Sequence, residues 1–151
     1  MSVRLAKSGD IPAILKVERD AKSAAHWAPH EYERLIEFGL LLVRAEGNCL
    51  HGFIAAQEIA GEWHLQNIVV SEPFRRRGVA DALLSALLKH AEEQAGQAVL
   101  LEVRESNAAA RSLYGKHGFQ LVGGRPRYYK DPEEDALLYT FHLRKDSADL
   151  A

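Results

Sequence analysis

Two hydrophobic rhythms alternate along this chain. Short runs with a period of two read as strands, and longer runs with apolar residues every three or four positions read as helices. Val3 to Ala6 (VRLA) alternates like a short strand. Ser8-Gly9-Asp10 can then cap a helix that carries Ile11, Ile14, Leu15 and Val17 on one face, with Pro12 tolerated in its first turn. Pro29 opens a second helix, HEYERLIEFG, and Gly39 ends it as a glycine cap. Residues 40–46 and 52–58 read as two strands joined around Gly47-Asn48, and Gly61-Glu62 marks the turn before WHLQNIVV. An antiparallel meander is therefore expected through residue 70.

Beyond it, Val79, Leu83, Leu84, Leu87, Leu88 and Ala91 recur at helical spacing and predict a helix with one buried face. VLLEV, residues 99–103, is a short strand with a carboxylate at its centre. Asn107 to Lys116 reads as a helix with Gly118 as a left-handed cap. Two last strands, around residues 119–129 and 136–143, flank the acidic loop KDPEED. The tail RKDSADLA, from residue 144, is polar and expected to fray. No repeat or linker interrupts this order, which predicts one α+β domain over residues 1–151, a mixed sheet with helices on its faces.

Composition narrows the function classes. The 151 residues are 47% apolar and 26% charged, the profile of a globular domain with a sizeable core. A formal charge of −2 and a pI near 6.4 argue against a protein that coats nucleic acid. The one cysteine, Cys49, excludes an internal disulfide, points to a reducing compartment, and is expected to lie buried as a small hydrophobe. MSVRLAKSGDIP has no apolar signal region, and no stretch nears the ~20 apolar residues of a membrane span, so a cytoplasmic protein is expected. The seven histidines do not lead us to expect a metal site.

The candidate chemistry sits in residues 69–84, VVSEPFRRRGVADALL. A loop that leaves a strand and opens a helix presents free backbone N–H groups at the positive end of the helix dipole, a ready anion site. Gly78 lets a ligand approach the backbone, Ala80 keeps the wall thin, and arginines add donors shaped for phosphate. One helix mouth suits a compact diphosphate better than a long nucleic-acid backbone. The plain alternative is a solvated arginine turn. Neither GxxxxGK[ST] nor GxGxxG is present, so the ATP and NAD motifs find no support.

RRRGVA fits the [RQ]xxGx[GA] acetyl-CoA motif of the GNAT N-acetyltransferases, and the chain resembles that family from about residue 63 to 141. The likeness runs through LQNIVVSEPF, LLEVRESNAAARSLYGKHGF and RYYKDPEEDALLYTF. The last two blocks look most like the RimI type, bacterial enzymes that acetylate the N-terminal alanine of a ribosomal protein. The resemblance implies a mostly antiparallel sheet of about seven strands, splayed between the fourth and fifth, with about four flanking helices. It implies acetyl-CoA as cosubstrate, no metal, and a protein N-terminus as acceptor, with a ribosomal protein as the family's own case.

It also assigns roles. The backbone of Ile68, Val69 and Val70 would pair with the pantetheine arm as a further strand, with the Val70 N–H facing the thioester oxygen. The same residues would serve equally as core strand. Arg75, Arg76, Arg77, Gly78, Val79 and Ala80 would hold the pyrophosphate. Asp81 departs from the neutral or basic residue of many relatives and is expected to point away from the phosphates. Glu102 would be the general base, against the alternative of a half-exposed edge-strand glutamate paired with Arg104 or another base. Tyr114 would be the general acid for the departing thiolate, against a simple core tyrosine. Asn107 would bind pantetheine, cap a helix, or do both.

Tyr128 and Tyr129 would line the peptide entrance, and strand alternation would send them to opposite faces so that one reaches the groove. Glu133, Glu134 and Asp135 would attract a basic peptide residue or simply be solvated, and His64 and His117 are read as structural. Three rivals share much of this sequence: a small-molecule amine acetyltransferase, an acyl-CoA-binding module without turnover, and a nucleic-acid adapter built on the arginines.

Overall fold

The computed structural model describes residues 3–21 and 25–143, so the polar tail lies outside the described residues. Seven strands follow the order β1-β2-β3-β4-β5-β7-β6. They are β1 (Val3–Leu5), β2 (Leu40–Glu46), β3 (Cys49–Ile59), β4 (Glu62–Val70), β5 (Ala98–Arg104), β6 (Gln120–Tyr129) and β7 (Glu134–His142). Four helices accompany them: α1 (Ile11–Asp20), α2 (Pro29–Phe38), α3 (Val79–Glu93) and α4 (Ala108–Lys116). The chain divides into two compact units, residues 1–58 with 65–90 and residues 59–64 with 91–151.

The first unit is built on a meander. β1 pairs antiparallel with β2, and β2 with β3. Gly47, at φ +59, turns the chain between them, a conformation that carries little steric penalty only for glycine. The core draws Ile11, Ile14 and Val17 from α1, Tyr32 and Leu35 from α2, and Leu41, Val43, Phe53 and Ala55 from the strands. Gly39 ends α2, as expected. Its φ is −124°, and a Cβ there would stand 2.9 Å from Leu35 Cδ2 and 3.1 Å from the Ala56 carbonyl oxygen. Close packing, rather than a left-handed φ, disfavours a side chain at this position.

Asp10 also acts differently from a simple cap. Its carboxylate accepts from the Lys7 N–H at 2.8 Å and from Arg4 at 2.8 Å, so it closes the turn before α1 and makes no side-chain cap to the helix. Arg4 beside it, chiefly through that hydrogen bond, holds the Asp10 carboxyl below the usual carboxylate range. Cys49 opens β3 at an exposed position. The expectation of a buried thiol fails because Cys49 is the first residue of β3, directly after the Gly47–Asn48 turn and paired with the exposed Glu46 at the end of β2.

The second unit holds the only parallel ladder recorded among the described residues. Glu62, Trp63 and His64 of β4 pair with Ala98, Val99 and Leu100 of β5. That ladder is three pairs long, while β5 pairs with β7 along its whole length from Ala98 to Arg104. This short parallel ladder in an otherwise antiparallel set of pairings matches the mixed sheet that the resemblance implied. A parallel pair needs a long connection, and the segment containing α3 supplies it. Tyr114, Phe119, Tyr139 and Phe141 form an aromatic cluster with ring centroids 5.5–6.2 Å apart. Gly118, at φ +91, turns the chain out of α4. β6 is an edge strand whose register slips twice, between Leu121 and Gly123 and between Arg125 and Tyr129. Such irregularities blunt an edge that would otherwise invite another chain.

Candidate active site

The loop after β4 is held from below. The Ser71 N–H donates to the His51 carbonyl at 2.8 Å, and Glu72–Phe74 form a single helical turn. The Phe74 ring stacks on the His51 imidazole, with centroids 3.8 Å apart and planes 17° from parallel. From that base Arg75, Arg76 and Arg77 rise as exposed side chains. Arg75 Nε donates to the Val70 carbonyl at 3.2 Å, and the Arg77 guanidinium lies 5.9 Å from the Phe74 centroid.

Arg76 at φ +63 and Gly78 at φ +79 bend the backbone into the left-handed region just before α3. The Gly78 carbonyl accepts the first helical N–H, from Ala82, at 3.0 Å. A Cβ on Gly78 would meet nothing within 4 Å, so the glycine answers to φ and leaves open space over the helix mouth. Val79 is buried and Ala80 is half-buried. On β4, Val69 is buried while Ile68 and Val70 are half-buried, an alternation that lets the strand pack on one side and keep main chain for another use.

In the second unit Glu102 stands in the middle of β5, opposite Leu138 of β7. Its side chain is 29% exposed, and Arg125 Nη2 lies 3.4 Å from the carboxylate. A hydrogen bond to Glu102 raises the Tyr128 phenol above its usual range. Glu102 is therefore paired, but with Arg125 rather than with Arg104. Arg104 instead ties the β6–β7 hairpin, donating to the carbonyls of Lys130 and Pro132 at 3.1 Å each and to Glu134 at 3.2 Å.

Tyr128 and Tyr129 do not part to opposite faces. Their rings meet edge to face with centroids 5.1 Å apart. Arg127 between Pro126 and Tyr128 has φ +55, and the register shift there breaks the alternation on which the expectation rested. The Arg125 guanidinium lies 5.5 Å from the Tyr128 centroid, and Arg104 lies 4.4 Å from that of Tyr129. Burial raises Tyr129, and the Glu102 charge adds to it.

Tyr114 is 5% exposed on α4. Burial pushes its phenol well above the usual range, with a further contribution from Tyr129. Glu102, Tyr128, Tyr129 and Tyr114 are thus electrostatic neighbours. Asn107 begins the same helix, its Oδ1 accepting from the Ala110 N–H at 3.1 Å. The capping role is filled, and seven residues separate it from Tyr114, two helical turns along one side.

The acidic loop is engaged within its own unit. Glu134 accepts from the Ser106 N–H, and Ser106 with Arg104 holds its carboxyl below the usual range. Asp135 accepts from the Arg127 N–H at 2.9 Å, and Glu133 lies 3.4 Å from Arg127. His26 and His30 stand four residues apart with Pro29 opening α2 between them. Among the described residues no group of three or more His, Cys, Asp or Glu is arranged to hold a metal, and no helix is long and apolar enough to cross a membrane.

Sequence reasoning missed a buried polar network centred on Glu18. Glu18, 2% exposed, accepts from the hydroxyl of Tyr32, itself 0% exposed, and from the Trp27 N–H at 3.0 Å. A hydrogen bond from Asn67 of β4 reaches Tyr32, and Asn67 Nδ2 donates to the Ala25 carbonyl at 3.2 Å. The network fastens the segment before α2 to the strand beside Ile68. A glutamate four residues after Ile14 and one after Val17 could have signalled it, since that position falls on the apolar face of α1.

A model of the Acetyltransferase (GNAT) family matches residues 11–119. Relatives include the ribosomal protein bS18-alanine N-acetyltransferase of Escherichia coli strain K12, 33% identical over 135 residues, covering 85% of this chain and 88% of that one. An N-alpha-acetyltransferase of Saccharolobus solfataricus is 30% identical over 151 residues, covering 91% of this chain and 90% of that one. Among solved structures, the ribosomal-protein-S18-alanine N-acetyltransferase from Escherichia coli aligns with a TM-score of 0.86 and 29% identity, over 96% of this chain and 95% of that one. The family match spans well over half of the residues, and this chain belongs to the GNAT family of acetyltransferases.

Proposed function

We propose that this chain, acting as one catalytic domain over residues 1–151, transfers the acetyl group of acetyl-CoA to the N-terminal α-amine of a protein, with alanine as the preferred first residue. The observation that carries the reading is the cluster in the second unit: a paired carboxylate, Glu102, beside Tyr128 and Tyr129, with a buried and protonated Tyr114 next to them. The likeness to the bS18-alanine N-acetyltransferase supports the acceptor class. A cytoplasmic setting with a ribosomal protein among its acceptors belongs to the same proposal.

The coenzyme's diphosphate rests on the backbone of Arg75 to Ala80, with the arginines as counter-charge, and its pantetheine arm pairs with the backbone of Ile68 to Val70. Asn107 contributes its amide nitrogen to that arm, its oxygen being used by Ala110. Tyr128 and Tyr129 close over the first peptide residues. The amine lone pair attacks the thioester carbonyl carbon, and the Val70 N–H stabilises the oxyanion. As the carbon–sulfur bond breaks, the amine proton passes to Glu102 and the Tyr114 proton to sulfur; exchange with water resets both groups.

An α-amine titrates near pH 8, so a modest base is enough near neutrality. A phenol raised by burial is a weaker acid than a thiol. Tyr114 therefore donates a hydrogen bond to sulfur first and parts with its proton only when the bond has opened. No acyl-enzyme is formed, and most of the acceleration comes from positioning and oxyanion stabilisation.

The test is an acetylation screen over peptides that differ in their first two residues, run beside polyamines and aminoglycosides. Peptides beginning with alanine are expected to be modified fastest. Acetylation of the small amines alone would replace the reading with a small-molecule transferase. Tight acetyl-CoA binding with no transfer to any acceptor would replace it with a binding module.

A further inference from the structure

The anion-binding loop has a neighbour from a distant part of the sequence. Arg44 lies on β2, in register with Gly52 of β3. Residues paired across two antiparallel strands point to the same face of the sheet. A Cβ on Gly52 would stand 2.7 Å from the Val69 carbonyl oxygen and 3.2–3.3 Å from Val79 Cγ1 and Leu83 Cδ1, so that face is the one α3 covers. The missing side chain lets the start of α3 come down on the sheet, and the Arg44 stem on the neighbouring strand runs toward the helix mouth. The β2–β3 register slips between Arg44 and Ala45, an irregularity of the kind that re-aims a side chain beside a functional site.

The guanidinium ends against the loop. Arg44 Nη1 lies 3.5 Å from the Gly78 carbonyl oxygen, a distance too long for a strong bond, and that oxygen already accepts from Ala82 at 3.0 Å. Arg44 Nε is shut off from solvent and has no hydrogen-bond partner among the described residues. A guanidinium N–H without water or acceptor is unfavourable by itself. Solvating the Gly78 carbonyl would not explain it, because that contact leaves Nε unmet. An anion seated over Gly78, where a Cβ would find open space, would give the Nη groups of that guanidinium the strong acceptor that the 3.5 Å contact does not supply.

We infer that Arg44 is a further coenzyme-binding residue, a fourth arginine that reaches across from β2 to the diphosphate at the mouth of α3. The inference rests on the acetyl-CoA reading of that loop. Arg75 to Arg77 are exposed side chains on the loop itself. Arg44 approaches from the half-buried floor, where a charge-assisted hydrogen bond is less weakened by water.

Calorimetric titration of wild type, Arg44→Gln and Arg44→Lys with CoA, dephospho-CoA and pantetheine tests it. Arg44→Gln is expected to weaken CoA and dephospho-CoA alike, by roughly 10- to 100-fold, and to leave pantetheine unchanged. Arg44→Lys, which keeps the charge without the planar fork, falls between, and it carries the test alone if the glutamine variant does not fold. Equal CoA binding by wild type and either folded variant overturns the inference. So does a loss confined to CoA, which would assign Arg44 to the 3′-phosphate. Failure of wild type to bind any of the three ligands would instead remove the coenzyme reading of the loop.

Discussion

Burial of Tyr114 keeps its proton in place at any pH at which a peptide amine is free to react. Its folded value is raised, so the proton that an acid must hold is lost only above about pH 10, the ordinary phenol value. The pH–rate profile is therefore expected to rise toward pH 8 as the amine deprotonates, with no falling limb from Tyr114 below pH 10. A limb near pH 9 that vanishes in Tyr114→Phe would contradict this. Tyr114→Phe and Glu102→Gln should each lower kcat by roughly 10²- to 10⁴-fold while CoA affinity changes little. Steady-state kinetics with a parallel CoA titration separates the two effects, and wild-type rates in both variants would remove these roles. A different residue-scale test concerns Glu18. Tyr32→Phe withdraws the donor from a carboxylate that is 2% exposed, and is expected to lower unfolding free energy by about 1–3 kcal/mol in denaturant titration. No change in midpoint would show that water already satisfies Glu18. The sequence marked Glu102 and Tyr114 through motif blocks. It did not mark Glu18 or Arg125, whose partners lie in distant segments that only the folded chain brings near.

At the scale of elements, α3 does two tasks. One face buries Val79, Leu83, Leu84, Leu87 and Ala91, and its first turn presents N–H groups beside Gly78. Gly52→Ala strikes both, since the added Cβ would lie 2.7 Å from the Val69 carbonyl oxygen of β4, which cannot swing away, and 3.2–3.3 Å from Val79 and Leu83 of α3. A loss of about 1–3 kcal/mol is expected, together with weaker CoA binding by the folded fraction. Unchanged stability in thermal melts would mean that β3 can shift from Val69 and α3 without strain. Element boundaries were legible where turn chemistry is strong. Residues 40–46 and the helix opened by Pro29 match the structure, as do Asn107 as N-cap and Gly118 as left-handed turn. The misreadings have one origin. Cys49 and the Tyr128–Tyr129 pair depend on where a strand begins and on a break in register, neither of which a local period encodes.

For the molecule as a whole, the likeness to GNAT enzymes was readable because four blocks occur in order at family spacing, and the parallel β4–β5 ladder of three pairs gives that likeness a physical form. Strand pairing changes from antiparallel to parallel through the crossover carried by α3, so the anion loop and the parallel ladder arise from one topological event. A ligand that binds only the folded chain must stabilise it. Acetyl-CoA at a hundredfold excess over its Kd is expected to raise the Tm by about 5–10 °C, while pantetheine, lacking the diphosphate, shifts it less. Equal shifts from both would deny the loop its role. The central claim is direct transfer from coenzyme to a peptide α-amine, and mass spectrometry with isotopically labelled acetyl-CoA tests it most directly. The label is expected on the α-nitrogen of an alanine-initiated peptide, with none on the protein after mixing with coenzyme alone. Label retained on the protein, or found only on lysine side chains of the peptide, would contradict the account.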